Sequence, residues 1–138
     1  MVVVDRFTKM AHFMCLHENA TEKDVADTFL PEVWKLHGLP TEIISDMDPK
    51  FSGKFWESLC KMLGVKRRMS TAYHAQTDGK TERTNQLLEG YLRTFVNYDQ
   101  NNWYQLLPLA EHAYNNSATN AHKMTPFFSN YGFHLRTE

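Results

Sequence analysis

The chain has 138 residues, with 15 basic and 16 acidic side chains and a formal charge of −1. That balance excludes a global attraction for nucleic acid, so any such binding must come from a local patch. Apolar content of 42% with 13% aromatic is that of a globular domain able to bury a core, no apolar run reaches the roughly 18 residues a membrane span needs, and Cys15 and Cys60 stand apart from each other and from His at zinc spacing, which argues against a disulfide scaffold or structural zinc and for a reducing compartment.

Met1 to Asp5 is a β-branched run that predicts a strand already under way at the first residue. Arg6 to Lys9 is a polar turn and Met10 to Leu16 alternates as a second strand, giving a β-hairpin with Asp5 as a turn-former beside Arg6. Thr21 opens a helix, with Asp24 in a capping arrangement. Val25, Phe29, Val33 and Leu36 recur at helical spacing and face the sheet, Pro31 should kink or split the helix, and Gly38 and Pro40 close it, with His37 at its C-terminal end. Glu42 to Asp46 reads as a short buried strand followed by the loop MDPKFSG. Ser52 begins a second helix with Phe55, Leu59 and Met62 as its apolar face, extended by Phe51 and Trp56 and ending at Gly64; Cys60 is a small core residue.

Val65 to Met69 is a strand in which Lys66, Arg67 and Arg68 alternate faces, leaving a charge-protected edge and DNA contact as equal readings. Ser70 to Lys80 is a polar, Gly-containing loop. The helix from Thr81 to about Tyr98 turns Leu88, Leu92 and Phe95 to the core, with Tyr91 and Val96 at the margins. Glu82, Gln86 and Glu89 lie on the other side, flanked by Arg83 and Asn85. Asp99 to Asn102 is a polar linker, and Trp103 to about Asn116 is an amphipathic helix using Trp103, Leu106, Leu107, Leu109, Ala110, Ala113 and Tyr114, bent or interrupted at Pro108. Thr125-Pro126 starts a last short helix, with Pro in its favoured first turn.

Two acids in this pattern carry chemistry. Asp46 ends a strand, where α/β folds place their sites, and Glu82 sits on the first turn of a helix beside a loop. Glu82 alone reads as a surface acid stabilised by the helix dipole. The segment between the two holds one helix, one strand and one loop, which can return the chain to the same sheet edge and let both carboxylates converge on one divalent cation.

With these residues in place, the chain resembles the catalytic core of retroviral-type integrases, above all those of gypsy-type long-terminal-repeat retrotransposons. The resemblance is carried by VVVDRFTKMAHF at 2–13, KLHGLP at 35–40, SDMDPKFSGKFW at 45–56, AYHAQTDGKTERTNQ at 72–86, YNNS at 114–117 and TPFFSNYG at 125–132. It implies an α/β, ribonuclease H-like mixed sheet of five strands flanked by helices, here a partial domain over 1–138 whose first strand, bearing the first catalytic Asp, is missing. It also implies that the family's zinc-binding and DNA-tethering domains lie outside this chain.

The implied function is DNA integration by two-metal 3′-processing and strand transfer. Asp46 and Glu82 are the implied catalytic and metal-binding residues, each holding one Mg²⁺ (or Mn²⁺), with the absent Asp bridging both, so the fragment is expected to be inactive alone. Tyr73, His74 and Gln76, with Lys80, Arg83, Asn85 and Gln86, are the implied contacts to DNA, both element ends and target. Ala75 departs from the family, which usually carries Pro there. A homo-oligomer acting in the nucleus, with the cytoplasm before import, completes the expectation. The alternative is a non-enzymatic DNA-binding or oligomerisation module from a degenerate or domesticated retroelement; a nuclease on RNA hybrids is disfavoured by the sequence around Glu82.

Overall fold

The structure is a computed structural model that describes residues 1–70, 75–98, 101–118 and 123–136, with the backbone alone for residues 75–82. In chain order the elements are β1 (Val2–Val4), β2 (Ala11–Phe13), α1 (Glu22–Phe29), a π-helical turn (Leu30–Trp34), α2 (Lys35–His37), β3 (Glu42–Ser45), α3 (Pro49–Ser52) and α4 (Lys54–Met62). They continue with β4 (Lys66–Met69), α5 (Ala75–Phe95), a 3₁₀ turn (Trp103–Leu106), α6 (Leu107–Asn115) and α7 (Pro126–Tyr131). The described strands form two ladders, β1–β2 antiparallel and β3–β4 parallel. Two compact units result: Met1–Cys15 with Arg83–Glu138, and Leu16–Glu82.

In the first unit the hairpin pairs Val2 with Phe13, Val3 with His12 and Val4 with Ala11. The ladder continues on either side, Asp5 N–H donating to the Met10 carbonyl at 2.8 Å and Met14 N–H to the Met1 carbonyl at 2.9 Å, so the second strand is shorter than the expected Met10 to Leu16. With those groups turned to β1, the backbone of Ala11 and Phe13 faces the other edge. Unpaired polar groups there would be costly once buried. Helix α6 satisfies them: Asn115 Oδ1 accepts from Ala11 N–H at 2.9 Å, Asn115 Nδ2 donates to the Ala11 carbonyl at 2.8 Å, and Glu111 Oε2 accepts from Phe13 N–H at 2.8 Å. The other Glu111 oxygen lies 3.0 Å from His12 Nδ1. Around this clasp Ala11, Phe13, Leu107 and Ala110 form a buried core flanked by Leu88, Tyr91, Leu92 and Tyr114.

The expected helix faces are corrected in places. Leu109 and Phe95 are 58% and 57% exposed. The 3₁₀ turn before α6 resets its phase, so Leu107 and Ala110 point inward, and the Phe95 ring lies on Tyr91 at 4.8 Å in place of the core. Trp103, expected on that stripe, is also exposed.

In the second unit, Thr21 caps α1 in a full capping box with Asp24. Pro31, which has no N–H to give, falls in the π-helical turn, where Lys35 N–H reaches back to the Leu30 carbonyl. One extra residue in a turn rotates the rest of the helix by about 100°. Val25, Phe29 and Val33 are therefore buried as expected, whereas Leu36 is 52% exposed. The helix expected from Ser52 is two helices: Asp48 and Pro49 start α3, and Gly53, in extended backbone, breaks it from α4. The buried face of α4 becomes Trp56 and Cys60, with the Trp56 ring edge-on to Phe29 at 5.9 Å, while Phe55 and Met62 are exposed. Strand β3 is half-buried, not buried, since its one described partner is β4.

Candidate functional site

The two parallel strands β3 and β4 end together, Ser45 opposite Met69. Ser70 N–H donates to the Ser45 carbonyl at 2.7 Å. The chain thus leaves β4 beside the residue that succeeds Ser45, which is Asp46. This is the carboxyl edge of a parallel pair, where open α/β sheets place ligands.

The loop after β3 holds two acids with different duties. Asp48 is the N-cap of α3, its Oδ1 accepting from Lys50 N–H at 2.8 Å and its Oδ2 lying 3.6 Å from Lys50 Nζ. Asp46 is exposed. Its Oδ1 accepts from Asp48 N–H at 3.2 Å, and no described basic side chain pairs with it. An exposed carboxylate with one oxygen only lightly engaged is a hard donor of the kind Mg²⁺ takes while keeping several waters. The Asp-Pro pair at 48–49, an N-cap followed by Pro at the first helical position, is a start signal the sequence carried.

The basic strand resolves residue by residue. Arg67 turns inward, its Nη1 donating to the Phe51 and Gly53 carbonyls at 3.3 and 3.4 Å, with Glu57 at 4.0 Å. Arg68 Nε lies 2.8 Å from Glu42 Oε1. Arg67 therefore serves the fold, Arg68 sits in a surface ion pair, and Lys66 is exposed on β4.

The expected loop over Ser70 to Lys80 is shorter than the sequence suggested. Helix α5 begins at Ala75. A single Gly79 costs a helix only about 1 kcal/mol against Ala, which a 21-residue helix readily absorbs, and the first helical position takes Ala75 as well as the family's Pro. Gln76, Lys80 and Glu82 thus lie on the α5 backbone, their side chains outside the described residues; Tyr73 and His74 lie outside them altogether. Of the remaining candidates, Arg83, Asn85 and Gln86 are exposed. Thr84 between them is buried, with its hydroxyl 3.3 Å from that of Tyr114, a pairing across the first unit that no sequence period marked. Glu89 pairs with Arg93 at 3.7 Å one turn on. Among the described residues no group of three or more His, Cys, Asp or Glu side chains gathers around one point, and no helix is long and apolar enough to cross a membrane.

Residues 1–75 match the integrase core domain family. The chain is 38% identical over 126 residues to the transposon Tf2-3 and Tf2-4 polyproteins of Schizosaccharomyces pombe; the match takes in 91% of this chain and 10% of each relative. The chain therefore spans about a tenth of the length of those relatives. Among solved structures it is similar to the HTLV-2 integrase catalytic core domain in complex with magnesium, in its trimeric form (TM-score 0.74, 21% identity, 91% of this chain and 80% of that one). It is also similar to a chain of the simian T-cell lymphotropic virus intasome in complex with PP2A regulatory subunit B56 gamma (TM-score 0.78, 19% identity, 98% and 49%), and to the BIV integrase catalytic core domain (TM-score 0.72, 25% identity, 91% and 80%). These likenesses give the fold as the ribonuclease H-like α/β arrangement expected from the sequence.

Proposed function

Because the chain belongs to the integrase core domain family, we propose that it is the catalytic core of a retrotransposon integrase and that its chemistry is the joining of DNA ends to target DNA. The observation that carries the reading is Asp46 at the shared end of two parallel strands, exposed and unclaimed by any described cation, while its neighbour Asp48 is committed to a helix cap. Asp46 and Glu82 are the metal ligands, one from a strand end and one from α5. Mg²⁺ or Mn²⁺, when bound there, stabilises charge on the attacking and leaving oxygens of an in-line displacement at phosphorus. The protein holds the cation by hard oxygen donors and fixes the DNA against it.

Tyr73, His74, Gln76 and Lys80 grip the DNA ends ahead of Glu82, and the exposed Arg83, Asn85 and Gln86 extend that surface along α5. Flat and hydrogen-bonding side chains suit unpaired nucleotides, and the cations suit phosphate. A homo-oligomer and a nuclear site of action belong to the same reading.

The 138 residues supply two of the three acids the family uses, so this chain alone is inactive in strand transfer. The test is a joining assay with labelled duplex ends, plasmid target and Mg²⁺ or Mn²⁺, using the chain alone and the chain with a strand carrying the family's first Asp added ahead of Met1. Activity only in the extended form, lost in Asp46→Asn and in Glu82→Gln, supports the reading. Equal activity in both forms overturns the three-acid account. DNA binding without joining in either form would favour the non-enzymatic module.

A further inference from the structure

Helix α3 has only four residues, Pro49–Ser52, too few to stand without outside support. Asp48 closes its N-terminal side. The break at Gly53 opens its C-terminal side, because the Phe55 N–H, which a continuous helix would give to the Phe51 carbonyl, goes to Glu22 at 2.9 Å. A carbonyl left in that position needs another donor. Arg67 supplies it from β4, its Nη1 donating to the Phe51 carbonyl at 3.3 Å and to the Gly53 carbonyl at 3.4 Å. The Arg67 side chain is 18% exposed, and a cation suits the last carbonyls of a helix.

The end of the same strand anchors the other side of the loop. Ser70 N–H donates to the Ser45 carbonyl at 2.7 Å, one residue before Asp46. Between these two anchors runs the segment 46–52, and within it Asp48 N–H donates to Asp46 Oδ1 at 3.2 Å. Asp48 is also the cap of α3, so the seating of α3 sets where that N–H points, and the N–H in turn orients the Asp46 carboxylate. Arg67 is thereby linked to Asp46 through the backbone without touching it. Its ion pair with the exposed Glu57, at 4.0 Å, adds little.

We propose that Arg67 is a positioning residue for Asp46. By fixing the C-terminal carbonyls of α3 to β4, it holds the segment 46–52, and with it the Asp46 carboxylate, in one orientation. The inference rests on the proposed function, in which Asp46 is a metal ligand, and adds a residue that reading does not use. A carboxylate held ready loses less freedom when a cation arrives than one on a loose loop. Groups that orient a metal's ligands are typically worth about tenfold or more in its affinity.

The test uses the whole chain with Mn²⁺ as the probe, its affinity read by electron paramagnetic resonance. Amide hydrogen exchange at residues 51–53, whose N–H groups close α3, reports on the helix. Arg67→Met keeps most of the stem and removes the donors; it should weaken Mn²⁺ binding about tenfold and speed exchange at those amides. Arg67→Lys returns a cationic donor and should recover half of that loss on a logarithmic scale, leaving a deficit of about threefold; it carries the test if Arg67→Met does not fold. Glu57→Gln should change neither readout. Asp48→Ala keeps both the backbone N–H facing Asp46 and the Arg67 anchor, so its Mn²⁺ affinity should match wild type. Faster exchange in the Arg67 variants with unchanged Mn²⁺ affinity makes Arg67 a support of the fold alone and overturns the proposal, as does weakened DNA binding with unchanged Mn²⁺ affinity. A wild-type chain that takes up no Mn²⁺, or takes it up equally well as Asp46→Asn, overturns the metal reading of Asp46 and this inference with it.

Discussion

Asn115 holds Ala11 by both of its backbone groups, with hydrogen bonds of 2.9 and 2.8 Å between residues 104 positions apart. The amide side chain thereby does for the outer edge of β2 what a further strand would do, and Glu111 one turn earlier covers Phe13. Removing it leaves a buried N–H and a buried carbonyl without partners, each costing about 1–3 kcal/mol. Asn115→Ala should therefore destabilise the chain by about 3 kcal/mol, read as a fall in the urea midpoint. Asn115→Asp, which keeps an acceptor but sets a carboxylate against the Ala11 carbonyl, should not restore the loss.

The two acids after β3 should separate cleanly by mutation. Asp48→Ala removes the cap of α3 and is expected to cost about 1 kcal/mol of stability. Asp46→Asn keeps the side chain's shape and its acceptor for Asp48 N–H, so stability should stay within about 0.5 kcal/mol. Mn²⁺ binding, measured by electron paramagnetic resonance, should weaken in Asp46→Asn and not in Asp48→Ala. The reverse pattern would make Asp48 the metal ligand in place of Asp46.

Gly53 leaves room for a carboxylate that reaches in from another helix. Its backbone is extended at φ −71°, which any residue adopts, but a Cβ there would overlap the carboxylate of Glu22. That carboxylate accepts from Phe55 N–H at 2.9 Å and Trp56 N–H at 3.2 Å, capping α4 from another helix. Gly53→Ala should displace that carboxylate and cost about 1 kcal/mol, the value of the cap it gives up. Glu22→Ala should cost about 1 kcal/mol as a lost cap. The double variant should be more stable than the sum of the two losses predicts, since the collision disappears with the side chain.

Features settled by neighbours in sequence were legible in it. The hairpin, the Thr21–Asp24 capping box, the role of Asp5 as a turn-former, and the Thr125-Pro126 helix start all rest on hydrogen bonds spanning a few residues. Features that depend on distant partners were not. No periodicity marks Asn115 as a strand-edge group, or Glu22 as the cap of a helix that begins at Lys54. Helix phase failed in part wherever a local irregularity intervened: the π-helical turn at Pro31 carried Leu36 outward, and after the break at Gly53 the expected Trp56 and Cys60 stay in the core of α4 while Phe55 and Met62 turn out of it. The place of Asp46 just past the end of β3 was legible because an apolar run and an acid meet there. The start of α5 at Ala75 was not, because Gly79 and the polar residues around it read as loop while costing a long helix little.

The two cysteines should differ in reactivity. Cys15 is exposed and Cys60 buried. Burial pushes the Cys60 thiol up, with the Arg67 guanidinium acting weakly in the opposite direction, so little thiolate forms near neutral pH. A thiol reagent at about pH 8, near the ordinary thiol pKa, should modify Cys15 at once and Cys60 only after urea unfolds the chain. Rapid labelling of both in the native protein would show that α4 opens from β4 far more readily than its packing implies.

Asp5 gives the hairpin a defined acid limit. Its folded pKa lies below the ordinary value of 3.8, so the folded state holds fewer protons than the unfolded chain across that interval. The stabilisation is complete above the unfolded pKa and is lost as pH falls through the folded one. Asp5→Asn retains an oxygen for the Thr8 and Phe7 N–H groups but cannot titrate. In urea unfolding at a series of pH values descending through the carboxylate range, the wild-type chain should lose stability more steeply than Asp5→Asn below about pH 4. Asp24, also lowered, titrates in both proteins, so the difference between the two curves isolates Asp5. Parallel curves would mean that its three hydrogen bonds do not favour the charged carboxylate over the neutral one.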